Sequence, residues 1–190
     1  MGAIEESIKF YSASGAYKWA VEAAERPGVI SSTQVVIRSM KEQMGSTALT
    51  RDDIEETALS VLAVVKRIEP PVARMAFKAA LGPPEETLDA ELTSQLARTV
   101  WTDEQRRPYS TCSRLARITL LRSRAEEQHA QAIPRAWYAH ALKIRRQSLG
   151  TWDPVINELE ALMDDWVAQG KMKAKQLLDQ AGLIHARDED

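Results

Sequence analysis

One cysteine, Cys112, is all that a chain of 190 residues contains. An internal disulfide is therefore excluded, and the thiol suits a reducing compartment, where a buried cysteine packs as a small apolar residue. Long apolar runs are missing too: nothing approaches the roughly 18 residues of a membrane-spanning helix. The start, Met1-Gly2-Ala3-Ile4-Glu5-Glu6, is acidic early and lacks the basic-then-apolar order of a signal peptide. Cytoplasmic residence and no membrane partner are the expectations. No segment alternates strictly between apolar and polar residues, which argues against a substantial sheet. The eight glycines stand singly, so there is no glycine-rich phosphate loop. His129, His140 and His185 show no paired ligand spacing with each other or with Cys112, and no metal or cofactor is expected. The carboxylate pairs Asp52/Asp53, Glu55/Glu56, Glu85/Glu86 and Asp164/Asp165 are adjacent rather than a turn apart. They read as helix-start acids or solvated surface, so no catalytic residue and no enzyme are expected.

What is present is helical periodicity almost throughout. Ile4, Ile8, Tyr11, Gly15 and Trp19 make one face of a first helix ending near Arg26-Pro27-Gly28. Ser31 or Ser32 caps a second, carrying Val35, Val36, Met40 and Met44 and stopped by Gly45. Thr50 to Asp53 opens a third, with two acids at the positive helix end and a stripe of Ile54, Ala58, Val61, Leu62, Val65 and Ile68. Pro70-Pro71 ends it, a fourth runs through Met75 and Phe77 to Leu81-Gly82, and Leu88, Leu92 and Leu96 mark a fifth. Pro134 starts a helix with Trp137, Ala141 and Ile144, closed by Leu149-Gly150. Asp153-Pro154 starts another, burying Val155 or Ile156, Leu159, Leu162, Met163 and Trp166. A last helix is expected over about Lys171 to Ala181. Of the five tryptophans, Trp19, Trp137 and Trp166 lie in apolar stripes and read as core; Trp101 and Trp152 stand in connections and read as structural rather than as partner anchors.

Charge is unevenly placed. Residues 105–125 hold six arginines and no acid in a chain of net charge −2, whereas residues 150–170 hold five acids and no base. The two segments either pair with each other or address different partners. A purely cationic helix points to a polyanion, because solvated helices usually mix both signs. With a preceding helix at about Ala90–Val100 and a connection from Trp101 to Pro108, Ser110 would cap a second helix. Cys112, Leu115, Ile118 and Leu121 or Leu120 fall on its buried side, and Ser110, Ser113, Arg114, Arg117 and Arg124 on the other. In a helix-turn-helix the first turns of the second helix reach base edges, which nominates Ser110, Ser113, Arg114 and Arg117. Arg106, Arg107, Arg122 and Arg124 are placed for phosphates. The eight-residue connection is longer than the three or four residues usual for the motif.

The order of these features resembles the Q-type transcription antiterminators of lambdoid phages, in the branch lacking zinc ligands, and the related AlpA-type bacterial lysis regulators. Gly15-Ala16-Tyr17-Lys18-Trp19-Ala20 is similar to the segment near that family's start. Ser31-Ser32, Asp52-Asp53 and Ala79-Ala80-Leu81-Gly82 fall at similar places, with Gln95 to Arg98 and Tyr109 to Arg122 as the helix pair. The likeness spans about residues 12–125. It implies a protein that binds double-stranded DNA beside a promoter, engages bacterial RNA polymerase paused with its sigma factor, and narrows the RNA exit channel so that terminator hairpins cannot form. Nascent RNA is then a further contact.

The expected fold is all-α, a multi-helix domain with an embedded helix-turn-helix-like unit and a C-terminal helical extension. Its divisions are a helical body at 1–82, a DNA-binding unit at 83–130, and an extension at 131–190 carrying the acidic helix. Two other classes compete with antitermination. One is another DNA-binding regulator or a phage packaging recognition subunit using the same basic helix. The other is a protein-interaction inhibitor whose acidic helix imitates nucleic acid.

Overall fold

The computed structural model describes residues 10–25, 51–101 and 108–184. Within them lie seven α-helices and a 3-10 turn, and no strand beyond one isolated bridge between Phe10 and Ile184. The chain is all-α. It divides into two compact units: residues 1–68 with 171–190, and residues 69–170. This division differs from the three expected segments. The helix after Pro70 joins the second unit, and most of the supposed C-terminal extension is part of that unit's core. The expected helix between Ser31 and Gly45 lies outside the described residues.

In the first unit, α1 spans Ala13–Glu25, and the Ile4 and Ile8 positions of the expected first helix lie outside the described residues. Ser12 sets the start: its hydroxyl accepts the backbone N–H of Gly15 at 3.1 Å, the geometry of an N-cap serving the third helical residue. Before that cap, Phe10 is extended, so Phe10 is buried and Tyr11 exposed. Phe10 lies 5.1 Å from the Trp19 ring and donates its N–H to the Leu183 carbonyl at 2.8 Å. α2 (Arg51–Lys66) packs on α1, with Ala58, Val61 and Val65 buried and Asp52 and Asp53 in its first turn.

The second unit starts with α3 (Pro71–Leu81), where Pro71 occupies the first helical position that needs no N–H donor. α4 (Glu86–Val100) buries Leu88, Leu92 and Leu96 as expected. α5 (Tyr109–Glu127) is the basic helix; it starts one residue before Ser110, behind Pro108 and with no side-chain cap. Leu115 and Leu120 are buried, while Leu121 is half-buried. α6 (Ala136–Leu142) is short. Lys143 takes a left-handed conformation and ends it, so Ile144 is not helical, and residues Arg146–Trp152 form the 3-10 turn. Tyr138, not Trp137, is the core aromatic of α6: Tyr138 is inaccessible and Trp137 is 50% exposed. Trp101, Trp152 and Trp166 are half-buried against the core.

The last helix, α7 (Asp153–Gln180), corrects a further expectation. The sequence suggested a break at Gly170, yet the helix continues through it. The glycine serves close packing: a Cβ there would stand 2.6 Å from the Ala73 carbonyl oxygen and 2.6 Å from Phe77 Cβ. Both contacts are to α3 and one is to backbone, so neither yields cheaply. Val155, Ile156, Leu159, Met163 and Val167 of α7 join Leu92, Leu96, Leu115, Leu120 and Tyr138 in one core. The apolar stripe of the acidic helix is thus covered by the chain itself. Gly170→Ala should destabilise the fold by about 1–3 kcal/mol, the usual cost of overpacking. The urea unfolding midpoint reads this, and an unchanged or raised midpoint would show that α3 and α7 separate freely.

Candidate nucleic-acid interface

The α4–α5 pair makes contact at both of its ends. At one, Trp101 meets Tyr109 edge-on at 6.1 Å between ring centroids, and the Tyr109 hydroxyl bonds Ser94 Oγ at 3.0 Å. At the other, Arg124 reaches Asp89. Helices that touch at sites this far apart lie side by side as an antiparallel hairpin, whereas helix-turn-helix partners cross at about 90–120°. A groove of about 700 Å³ runs along the hairpin, between Glu86, Ala90 and Thr93 on α4 and Ser113, Arg114, Arg117 and Leu121 on α5.

The eight residues nominated from sequence separate into three sets. Arg106 and Arg107 lie outside the described residues. Ser110, Arg114 and Arg117 are exposed and Ser113 half-exposed, so the first half of α5 presents the expected face. Arg114 folds back along its helix to the Ser110 carbonyl at 3.3 Å, and one of its Nη atoms stands 3.4 Å from the Ala141 carbonyl at the end of α6.

Arg122 and Arg124 do not belong to that face, and their placement for phosphates is corrected. Arg124 continues the same helical stripe, but α3 covers it there. Its Nε donates to the Ala79 carbonyl at 2.7 Å, and its Nη2 pairs with Asp89. Next to it, the Gln128 amide donates to the carbonyls of Gly82 at 2.8 Å and Ala80 at 3.3 Å. These carbonyls close α3 and have no partner inside that helix. Arg124 is a structural cap, 7% exposed.

Arg122 is committed on another side. It donates to the Ile133 carbonyl at 2.6 Å and to Glu160 at 3.1 Å, and its guanidinium lies 5.7 Å from the centre of the Tyr138 ring. The Tyr138 hydroxyl bonds Thr119 at 2.9 Å and donates to Glu160 at 3.1 Å. Arg135 adds pairs to Asp153 at 3.1 Å and Glu160 at 3.9 Å. Among the described residues, the basic and acidic segments therefore pair with each other at this end of α5. A cleft of about 470 Å³ lies beside the pairs, where partial desolvation, followed by Glu126, Glu160 and Glu127, raises the Asp164 carboxyl above its ordinary value. Among the described residues no group of three His, Cys, Asp or Glu is arranged to hold a metal, and no helix is long and apolar enough to cross a membrane.

The basic residues at 143–146 escaped the sequence reading. Lys143, Arg145 and Arg146 are exposed, and Arg114's contact with Ala141 brings them beside α5. A longer charge window would have found them: residues 105–152 contain ten lysines and arginines and two acids, a charge of +8 in a chain of −2. Among the described residues, Arg114, Arg117, Lys143, Arg145 and Arg146 have no ion-pair partner, while Arg122, Arg124 and Arg135 do. Compared with known proteins, the chain matches no family model, no curated sequence and no solved structure.

Two outcomes check this geometry. Arg124→Ala should cost about 2–3 kcal/mol, less than breaking a fully buried pair, because the Asp89 side chain keeps 24% exposure. It should leave Arg114 and Arg117 in place; a stability change near zero would mean that α3's carbonyls find water instead. Burial, more than any other influence, pushes the Tyr138 phenol well above the ordinary tyrosine value. A raised folded value stabilises the fold below the unfolded value of about 10, and that contribution is lost as pH rises beyond it. In an alkaline titration followed by tyrosinate absorbance, Tyr138 should ionise only together with unfolding. Its reversible ionisation in the native protein would contradict the buried placement.

Proposed function

We propose that this chain is a non-catalytic, DNA-binding regulator of transcription. The observation that carries the reading is the sorting of its arginines. Arg122 and Arg124, at the core end of α5, are ion-paired with Glu160 and Asp89, while Arg114, held only by the carbonyls of Ser110 and Ala141, and Arg117 stand exposed without an ion-pair partner among the described residues. Leaving like charges unneutralised on one face raises a positive field that favours a polyanion. Ser110 and Ser113 beside them add neutral hydrogen-bonding groups that suit phosphate or base edges. The groove wall across from them carries Glu86, which repels phosphate, whereas Asp89 is neutralised by Arg124, so the duplex lies on the α5 side.

Within this class, the antiterminator resemblance supplies the finer reading: binding near a promoter, transfer onto paused RNA polymerase with its sigma factor, and obstruction of terminator hairpins at the RNA exit channel. Such a function needs shape and positive charge, not catalytic groups. The hairpin geometry of α4 and α5 bears on the mode of contact. Arg114 and Arg117 meet the duplex along the flank of α5 rather than through an inserted recognition helix.

Binding of the intact protein to duplex DNA should weaken with salt, with a log–log slope of at least about −3 to −4 if Arg106, Arg107, Arg114 and Arg117 all meet phosphates. Arg114→Ala with Arg117→Ala should flatten that slope, by about 1.8 if both are phosphate contacts. Salt-independent binding, or none at low salt, rules out the DNA reading. Transcription through an intrinsic terminator, with and without the protein, separates antitermination from effects on initiation: full-length transcript rising at unchanged initiation is expected.

A further inference from the structure

Lys143 occupies a position where glycine is the favoured residue. Its φ of 57° and ψ of 38° are left-handed. The Ile144 N–H reaches back to the Ala139 carbonyl at 3.1 Å and the Lys143 N–H to the His140 carbonyl at 3.0 Å, the paired bonds of a Schellman helix end. In that motif a Cβ is a steric cost and glycine carries none. His129 closes α5 in the same conformation, but histidine is enriched among left-handed residues and lysine is not. The backbone bonds of this helix end are available to any residue, so lysine differs from the favoured glycine here only by its side chain. What remains is its charge.

That charge has company. Arg145 and Arg146 follow directly and are exposed, and none of the three has an ion-pair partner among the described residues. The segment adjoins the proposed DNA face, because Arg114 touches Ala141, two residues before Lys143. Leu142 and Ile144, which alternate with the bases, are half-buried rather than displayed. Within residues 143–146 the exposed side chains are all cations, which suits phosphates.

We propose that Lys143, Arg145 and Arg146 form a second phosphate-binding segment that continues the α5 face along duplex DNA. This rests on the DNA-binding reading above. The segment supplies affinity without sequence discrimination, since phosphates carry no sequence information.

The test uses the full-length protein and a short random-sequence duplex, with affinity read by fluorescence anisotropy across a salt series and stability by thermal unfolding. Lys143→Gly should raise the unfolding temperature and lower affinity about five- to tenfold near 0.1 M salt, the effect of one lost phosphate contact. Arg145→Ala with Arg146→Ala should flatten the log–log slope by about 1.8. Lys175→Ala, an exposed lysine on α7, removes the same charge as Lys143→Gly and should change neither affinity nor slope. If Lys143→Gly leaves affinity unchanged, lowers stability, or acts no differently from Lys175→Ala, the proposal is overturned while DNA binding by α5 stands. Polyglutamate binding as tight as the duplex at equal salt would assign the segment to an acidic protein and overturn it too. If the unaltered protein does not bind DNA at low salt, the DNA reading itself fails.

Discussion

A helix that ends inside a core must place its last carbonyls against donors, and α3 places them against α5. Arg124 and Gln128 supply those donors, to Ala79, Ala80 and Gly82. Because a buried carbonyl without a partner costs about 1–3 kcal/mol, this docking fixes which part of α5 lies beneath α3. Asp89 then neutralises Arg124 and joins α4 to the same point. The first half of α5, beyond the reach of α3, keeps its arginines in solvent. One stripe of a single helix thus serves two purposes along its length.

Periodicity made much of this legible. The stripes of α2 and α4 and the buried side of α5 follow from three- and four-residue spacing, because one covered face per helix leaves that signature. Trp137 and Tyr138 show where the signal ends. Adjacent aromatics on a helix of seven residues give no periodicity to choose between them, and the choice falls to Thr119 and Glu160, which offer the Tyr138 hydroxyl two partners. Gly170 misled for a related reason. A glycine can end a helix or admit a neighbouring backbone, and only Ala73 and Phe77 distinguish the two. The candidate site was half legible: Arg114 and Arg117 emerge from charge and helical phase, but nothing local separates them from Arg122 and Arg124. That distinction depends on Glu160 and on the end of α3, both more than thirty residues away in sequence.

The buried network around Glu160 is of a different kind from the exposed arginines. It unites Arg122 and Thr119 of α5 with Tyr138 of α6, and every polar member has a partner. Satisfied networks of this sort hold a single arrangement because any shift leaves a polar group unpaired in a low-dielectric surround. The α6 end, and with it Lys143, is therefore carried on a rigid support. The backbone that displays such charges needs no ordering when a partner is met, so the cost of binding is confined to the side chains.

The two units differ in how their segments are distributed along the chain, and synthesis makes that difference kinetic. Residues 69–170 are contiguous, so the second unit can close once Gly170 has left the ribosome. The first unit joins Phe10 to Leu183 and includes residues from both ends. Its early helices must wait for the last turns of α7, through the emergence of more than a hundred intervening residues. Long-range closure of this kind is slow, and a waiting apolar segment is open to wrong contacts. The cover that Leu183 gives Phe10 is consequently among the last contacts to form during translation.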